Sequence, residues 1–127
     1  MVGLTDLDIT VFADASAFRR WLTEHASSDR ELWVGYYKKA VPKTSITYPQ
    51  AVDEALCFGW IDGITRRIDD EVYANRFTPR RRGSTWSPSM VRRAEALIAE
   101  GRMTPSGLVA FAARRPAKPL AHGRDEG

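Results

Sequence analysis

The chain has 127 residues, 43% of them apolar, with 19 basic and 16 acidic side chains for a net charge of +3. That length suits one domain rather than two, and the apolar content is enough for a self-standing core. A single cysteine, Cys57, excludes an internal disulfide framework and a cysteine-rich zinc site and points to a reducing compartment, while no apolar run nears the ~20 residues of a membrane span.

Met1 to Asp8 carries neither a basic leader region nor an apolar one, so the expected location is the cytoplasm. Ile9 to Phe12 has strand composition, and Asp14 is a suitable N-cap for a helix beginning at the next residue. Phe18, Trp21, Leu22, His25 and Ala26 recur at i, i+3, i+4 and i+7, which predicts a helix over residues 15–26. Glu31 to Lys38 is rich in large β-forming side chains on both faces and reads as a strand covered on at least one side. Thr47-Tyr-Pro-Gln50 fits a capping box and opens a second helix whose face is Val52, Ala55, Leu56 and Gly59, with Cys57 and Phe58 beside it. Residues 60–68 alternate, setting Trp60, Asp62, Ile64, Arg66 and Ile68 on one side; after the polar turn Asp69-Asp-Glu71, the run Val72 to Phe77 returns as a hairpin strand.

Thr78 to Trp86 is rich in Pro, Gly and Arg and has no periodicity, so it reads as a loop. Ser87-Pro88 and Thr104-Pro105 each set an N-cap before a proline, the opening of two further helices; the first ends at Gly101, and Pro116 stops the second. The expected fold class is α+β: one small domain over 1–115, with a mainly antiparallel sheet of about four strands packed with about four helices, and a disordered tail over 116–127.

Charge is uneven along the chain. Residues 1–63 hold 6 basic against 9 acidic side chains, and residues 64–127 hold 13 against 7, so the second half offers anions the more favourable field. The usual handles for catalysis are scarce. Of the two histidines, His25 lies on an apolar helical face, where a packed or hydrogen-bonded role is expected, and His122 falls in the tail. Cys57, in an apolar helix, reads as a core thiol, although a Cys–His pair stays open. No metal-ligand spacing, phosphate loop or dinucleotide fingerprint occurs, and no cofactor is expected.

One segment is unusual: Arg76-Phe-Thr-Pro-Arg-Arg-Arg-Gly-Ser-Thr-Trp-Ser87, four guanidinium groups interleaved with two aromatic rings and flanked by hydroxyls. Guanidinium forks grip phosphates and carboxylates and stack on rings, so the segment fits an oxyanion pocket. It equally fits a basic patch for single-stranded nucleic acid. A purely structural reading has Arg76 paired with Asp62 or Glu71, Trp86 plugging the core, and Arg80, Arg81 and Arg82 only keeping the chain soluble. Asp62, on a strand otherwise rich in apolar groups, needs a partner if buried, such as Arg66 or Arg76, and could also serve as a general base.

These segments resemble the YdeI/OmpD-associated (bacteriocin-protection) family. The matching stretches are Trp33 with Tyr37-Lys-Lys39, Ser45-Ile-Thr-Tyr48, Glu54-Ala-Leu-Cys-Phe-Gly-Trp-Ile-Asp-Gly63, Arg76-Phe-Thr-Pro-Arg-Arg81, Ser84 with Trp86-Ser87, and Gly101-Arg-Met103 with Gly107. The resemblance implies a small α+β domain without an established enzymatic activity or cofactor, linked to bacteriocin and antimicrobial-peptide tolerance and to an outer-membrane porin. The chain departs from that pattern where Met90 replaces a usual Asn. The expected function is non-enzymatic stress tolerance through an anionic small molecule, bound by Trp60, Asp62, Arg66, Arg76, Thr78, Arg80, Arg81, Ser84, Trp86, Ser87 and Arg102. In that scheme Arg76, Arg80 and Arg81 contact the anion, Trp60 and Trp86 wall the pocket, and Asp62 orients an arginine. A single-stranded nucleic-acid module, a protein-interaction domain and an enzyme with Asp62 as base are the alternatives.

Overall fold

The computed structural model describes residues 8–116. Strand β1 (Ile9–Thr10) leads through helix α1 (Ala15–His25) to β2 (Leu32–Tyr37), and α2 (Tyr48–Cys57) leads to the hairpin β3 (Trp60–Arg67) and β4 (Val72–Pro79). A two-residue β5 (Thr85–Trp86), helices α3 (Pro88–Ala99) and α4 (Pro105–Ala112) and a two-residue β6 (Arg115–Pro116) complete the chain. The main sheet has the order β1-β2-β4-β3; β1 runs parallel to β2, and the other two pairings are antiparallel. This is the α+β domain with four helices and a four-stranded, mostly antiparallel sheet that the sequence pattern predicts.

Local chemistry starts each helix where expected. Asp14 accepts a hydrogen bond from the Ala17 N–H, Thr47 and Gln50 form the reciprocal capping box, and Ser87 and Thr104 cap α3 and α4 ahead of their prolines. One sheet face is covered by α1 and α2, where Phe18, Leu22, Ala51 and Ala55 pack on Leu32, Val34, Tyr36, Trp60 and Phe77. A second cluster, Leu56, Cys57, Trp86, Ala94 and Leu97, joins the far side of α2 to α3 and α4. Met90, the departure from the YdeI/OmpD-associated pattern, packs against that second cluster.

Helix α2 therefore lies between two cores, and a buried carboxylate ties it to both sides. Glu54 accepts from Arg19 of α1 at 2.9 Å and from Arg102 of the α3–α4 loop at 2.7 Å, while Arg19 also donates to the Arg102 carbonyl at 2.8 Å. The close seat of α4 depends on Gly107, since a Cβ there would stand 2.2 Å from the Cys57 carbonyl oxygen.

Three local expectations are corrected or refined. The alternation read over residues 60–68 is broken by a β-bulge: Asp62 pairs with Phe77 and Thr65 with Asn75, so Gly63 and Ile64 together face Arg76. The extra residue puts Asp62 on the helix-covered face and Arg66 on the open one, so the two are not on one side. His25 takes its packed role at the edge of the core rather than on a buried face: it stacks on Trp21 with its side chain 42% exposed. Pro116, set at the start of the expected tail, instead ends a strand, because Arg115–Pro116 pairs in parallel with Thr85–Trp86. The remainder of the expected tail, with His122, lies outside the described residues. Among those described, no helix is long and apolar enough to cross a membrane.

Two variants test the assembly. Glu54→Ala leaves two arginines without their shared carboxylate, and since both guanidinium groups keep about a third of their exposure, the expected loss is about 2–3 kcal/mol, below the range for a fully buried pair. Urea unfolding should show a lower midpoint with an unchanged slope. Gly107→Ala forces α4 off the end of α2 and should lower Tm by several degrees in a calorimetric scan.

Candidate functional site

The open face of the sheet ends in a basic groove. Arg76 and Thr78 alternate onto that face from β4, Ile61 stands opposite Thr78, and the ladder extends one step further through the Arg80 N–H, which donates to the Gly59 carbonyl at 2.9 Å. The chain then turns: Ser84 N–H bonds the Arg81 carbonyl at 3.0 Å, with Gly83 at φ +74° supplying the left-handed residue. The Ser84 carbonyl in turn accepts from Arg115 N–H at 3.0 Å, so the β5–β6 pair anchors the turn from behind. The resulting cavity, about 600 Å³, is lined by Arg30, Ile61, Arg76, Thr78, Pro79, Arg80, Arg81 and Ser84.

Arg80 is the most constrained of these groups. Its guanidinium lies 4.1 Å from the centre of the Trp86 ring, an Nη donates to Ser84 Oγ at 3.1 Å, and its Nε is buried without a hydrogen-bond partner. Burial lowers its pKa from the ordinary guanidinium value, and the Asp62 carboxylate acts in the opposite sense. A guanidinium stays charged at any physiological pH, so this is a partly desolvated cation held by a ring and a hydroxyl. Among the described residues Arg30, Arg80 and Arg81 form no ion pair, whereas Arg76 pairs with Glu31. The groove thus presents three unneutralised guanidinium groups with two hydroxyls, those of Thr78 and Ser84, which is the donor set for an oxyanion.

The expected site set divides. Arg76, Thr78, Arg80, Arg81 and Ser84 come together in the groove. Trp86 is 1% exposed and forms the platform beneath Arg80 rather than a wall of the cavity. Trp60, also buried, donates through its indole to the Ala26 carbonyl at 3.4 Å and borders an adjoining cleft. Asp62 orients no arginine; it accepts from the Tyr48 hydroxyl beneath α2, on the other face of the sheet. Arg66 lies over Trp33 at 5.6 Å, Ser87 caps α3, and Arg102 is committed to Glu54 and Glu100. Arg76 pairs with Glu31 rather than with Asp62 or Glu71.

Arg30, Ile61 and Pro79 also line the groove without having been expected there. Arg30 has no local signal; only the register that sets Leu32 opposite Phe77 carries it to the level of Pro79. Ile61 and Pro79 flank residues that were singled out, so strand alternation could have found Ile61. Cys57 is a buried thiol whose pKa burial raises, so it is held protonated away from solvent.

Under α2 lies a polar layer in which Tyr36 donates to Asn75 and Tyr48 to Asp62. Desolvation first, then the Asp62 partner, push the Tyr48 phenol up to about 12, and burial raises Tyr36 further. Each phenol is held neutral by folding, so its stabilisation is present below the ordinary value of 10 and is lost as pH rises through the folded value. Absorbance titration at 295 nm should show a step near pH 12 that Tyr48→Phe removes, with stability declining between pH 10 and 12.

A family model described as a domain of unknown function (DUF8412) matches residues 10–110. No curated protein matches the chain, and no solved structure does.

Proposed function

The chain belongs to the DUF8412 family, whose description carries no activity, and we propose from the site's own chemistry that it binds a small anion in the arginine groove without catalysing a reaction on it. The observation that carries this reading is Arg80, a cation stacked on Trp86 whose side-chain partner among the described residues is a hydroxyl and not a carboxylate, beside Arg30 and Arg81, which form no ion pair among those residues. Desolvating a cation is costly unless charge opposes it, and an anion in the groove supplies that charge. Arg80 and Arg81 hold the oxyanion, Thr78 and Ser84 add hydroxyl donors, and Arg76, shared with Glu31, contributes less.

The anion is favoured over single-stranded nucleic acid because stacking needs accessible rings. Phe77 and Trp86, the two rings of the arginine-rich segment, are 0% and 1% exposed. A role in stress tolerance of the YdeI/OmpD-associated type is supported by the sequence likeness alone, and a cytoplasmic setting by the single free thiol of Cys57.

Inorganic phosphate and pyrophosphate should each raise Tm by several degrees at saturation, since a ligand bound only by the native state adds RT ln(1 + [L]/Kd). The shift should disappear in Arg80→Met and fall at least tenfold in apparent affinity in Arg81→Ala, whose exposed side chain makes misfolding an unsuitable explanation. A shift produced by oligothymidylate alone, and abolished by salt, would move the assignment to nucleic acid.

A further inference from the structure

A second cavity opens beside the groove. It has a volume of about 290 Å³, lies between the end of α1, the start of β3 and helix α4, and is bordered by Phe58, Trp60, Val109, Ala110 and Ala113. Pro79, Arg80 and Arg81 line both cavities, so the cleft and the arginine groove adjoin along these three residues. The cleft walls are mostly apolar, and Val109 at its edge is 62% exposed, a large aliphatic side chain left in water on α4.

Neither cavity alone accounts for this juxtaposition. A bare hydrated anion would use the arginines and leave the apolar wall wet; a purely apolar ligand would bring no charge to Arg80. We propose, resting on the anion-binding reading above, that the ligand is an amphiphilic anion: an oxyanion group seated at Arg80 and Arg81, joined to a flat apolar portion that fills the cleft against Phe58, Val109 and Ala110. Size is consistent with that class, because a dry cavity of ~150 Å³ holds one benzene ring, and twice that volume takes a bicyclic ring or a short alkyl chain. Ligand sites of this kind are mostly apolar with a few placed polar groups.

The probes are 1-naphthyl phosphate, inorganic phosphate and uncharged 1-naphthol, titrated calorimetrically into the full chain and into two variants. Naphthyl phosphate should bind at least tenfold more tightly than phosphate. In Val109→Gln/Ala113→Gln, whose positions are exposed and half-buried, the preference should fall to within about twofold while phosphate affinity is unchanged. Arg81→Ala should weaken both anions. Equal affinity for the two anions in the unaltered chain, still lost in Arg81→Ala, would overturn the amphiphile and leave the anion reading standing. Naphthol binding as tightly as naphthyl phosphate and indifferent to Arg81→Ala, or no binding of either anion, would overturn both.

Discussion

The structure turns on one buried carboxylate. Glu54 sits on α2 between the sheet-facing core and the cluster under α3 and α4, and it receives one guanidinium from each side, Arg19 and Arg102. Hydrophobic burial alone is non-directional and would let these two clusters slide against each other. A carboxylate with two charge-assisted donors fixes both the distance and the angle, because each lost contact leaves a charge in a poorly hydrated place. The Arg19–Arg102 carbonyl bond closes the triangle, so α1, α2 and the α3–α4 loop behave as one unit.

The second of these clusters also carries the platform of the arginine groove. Arg80 comes from the end of the sheet, and Trp86, on which it lies, belongs to the second cluster. Arg80 is seated by its N–H bond to the Gly59 carbonyl and Trp86 by its burial in that cluster, with the Gly83 turn between them. Helix α4 is fixed to the end of α2 through the Gly107 approach and the Thr104 N–H and hydroxyl, which both donate to the Cys57 carbonyl. The apolar cleft beside the groove is bounded by that helix, so its wall is placed by the seat of α4 on the end of α2.

A bulge in β3 makes the other consequential choice. Without it, Asp62 and Arg66 would share a face of the sheet. With it, the carboxylate turns inward to Tyr48 and joins a polar layer with Tyr36 and Asn75, while Arg66 turns outward over Trp33. Asp62 acts on Arg80 only through space, raising its pKa against the effect of burial, and makes no ion pair with a groove arginine among the described residues.

Residue order is enough for whatever depends on neighbours along the chain. Helix starts were legible because caps and prolines act within one turn: Asp14, Thr47 with Gln50, Ser87 with Pro88, and Thr104 with Pro105 all do what their spacing predicts. The strands at 31–38 and 72–77 were legible from composition, and the arginine-rich segment stood out for its chemistry. Which of those groups meet is a matter of packing in three dimensions. Arg30 reaches the groove by strand register, Trp86 passes beneath Arg80 by packing, and Arg102 is drawn away to Glu54 from 48 residues distant. The bulge and the two-residue β5–β6 pair left no periodic trace, since both are too short to repeat. Local propensity fixes elements because its energies act over three or four residues, whereas a site assembled across the sheet depends on contacts whose partners the order of residues does not name.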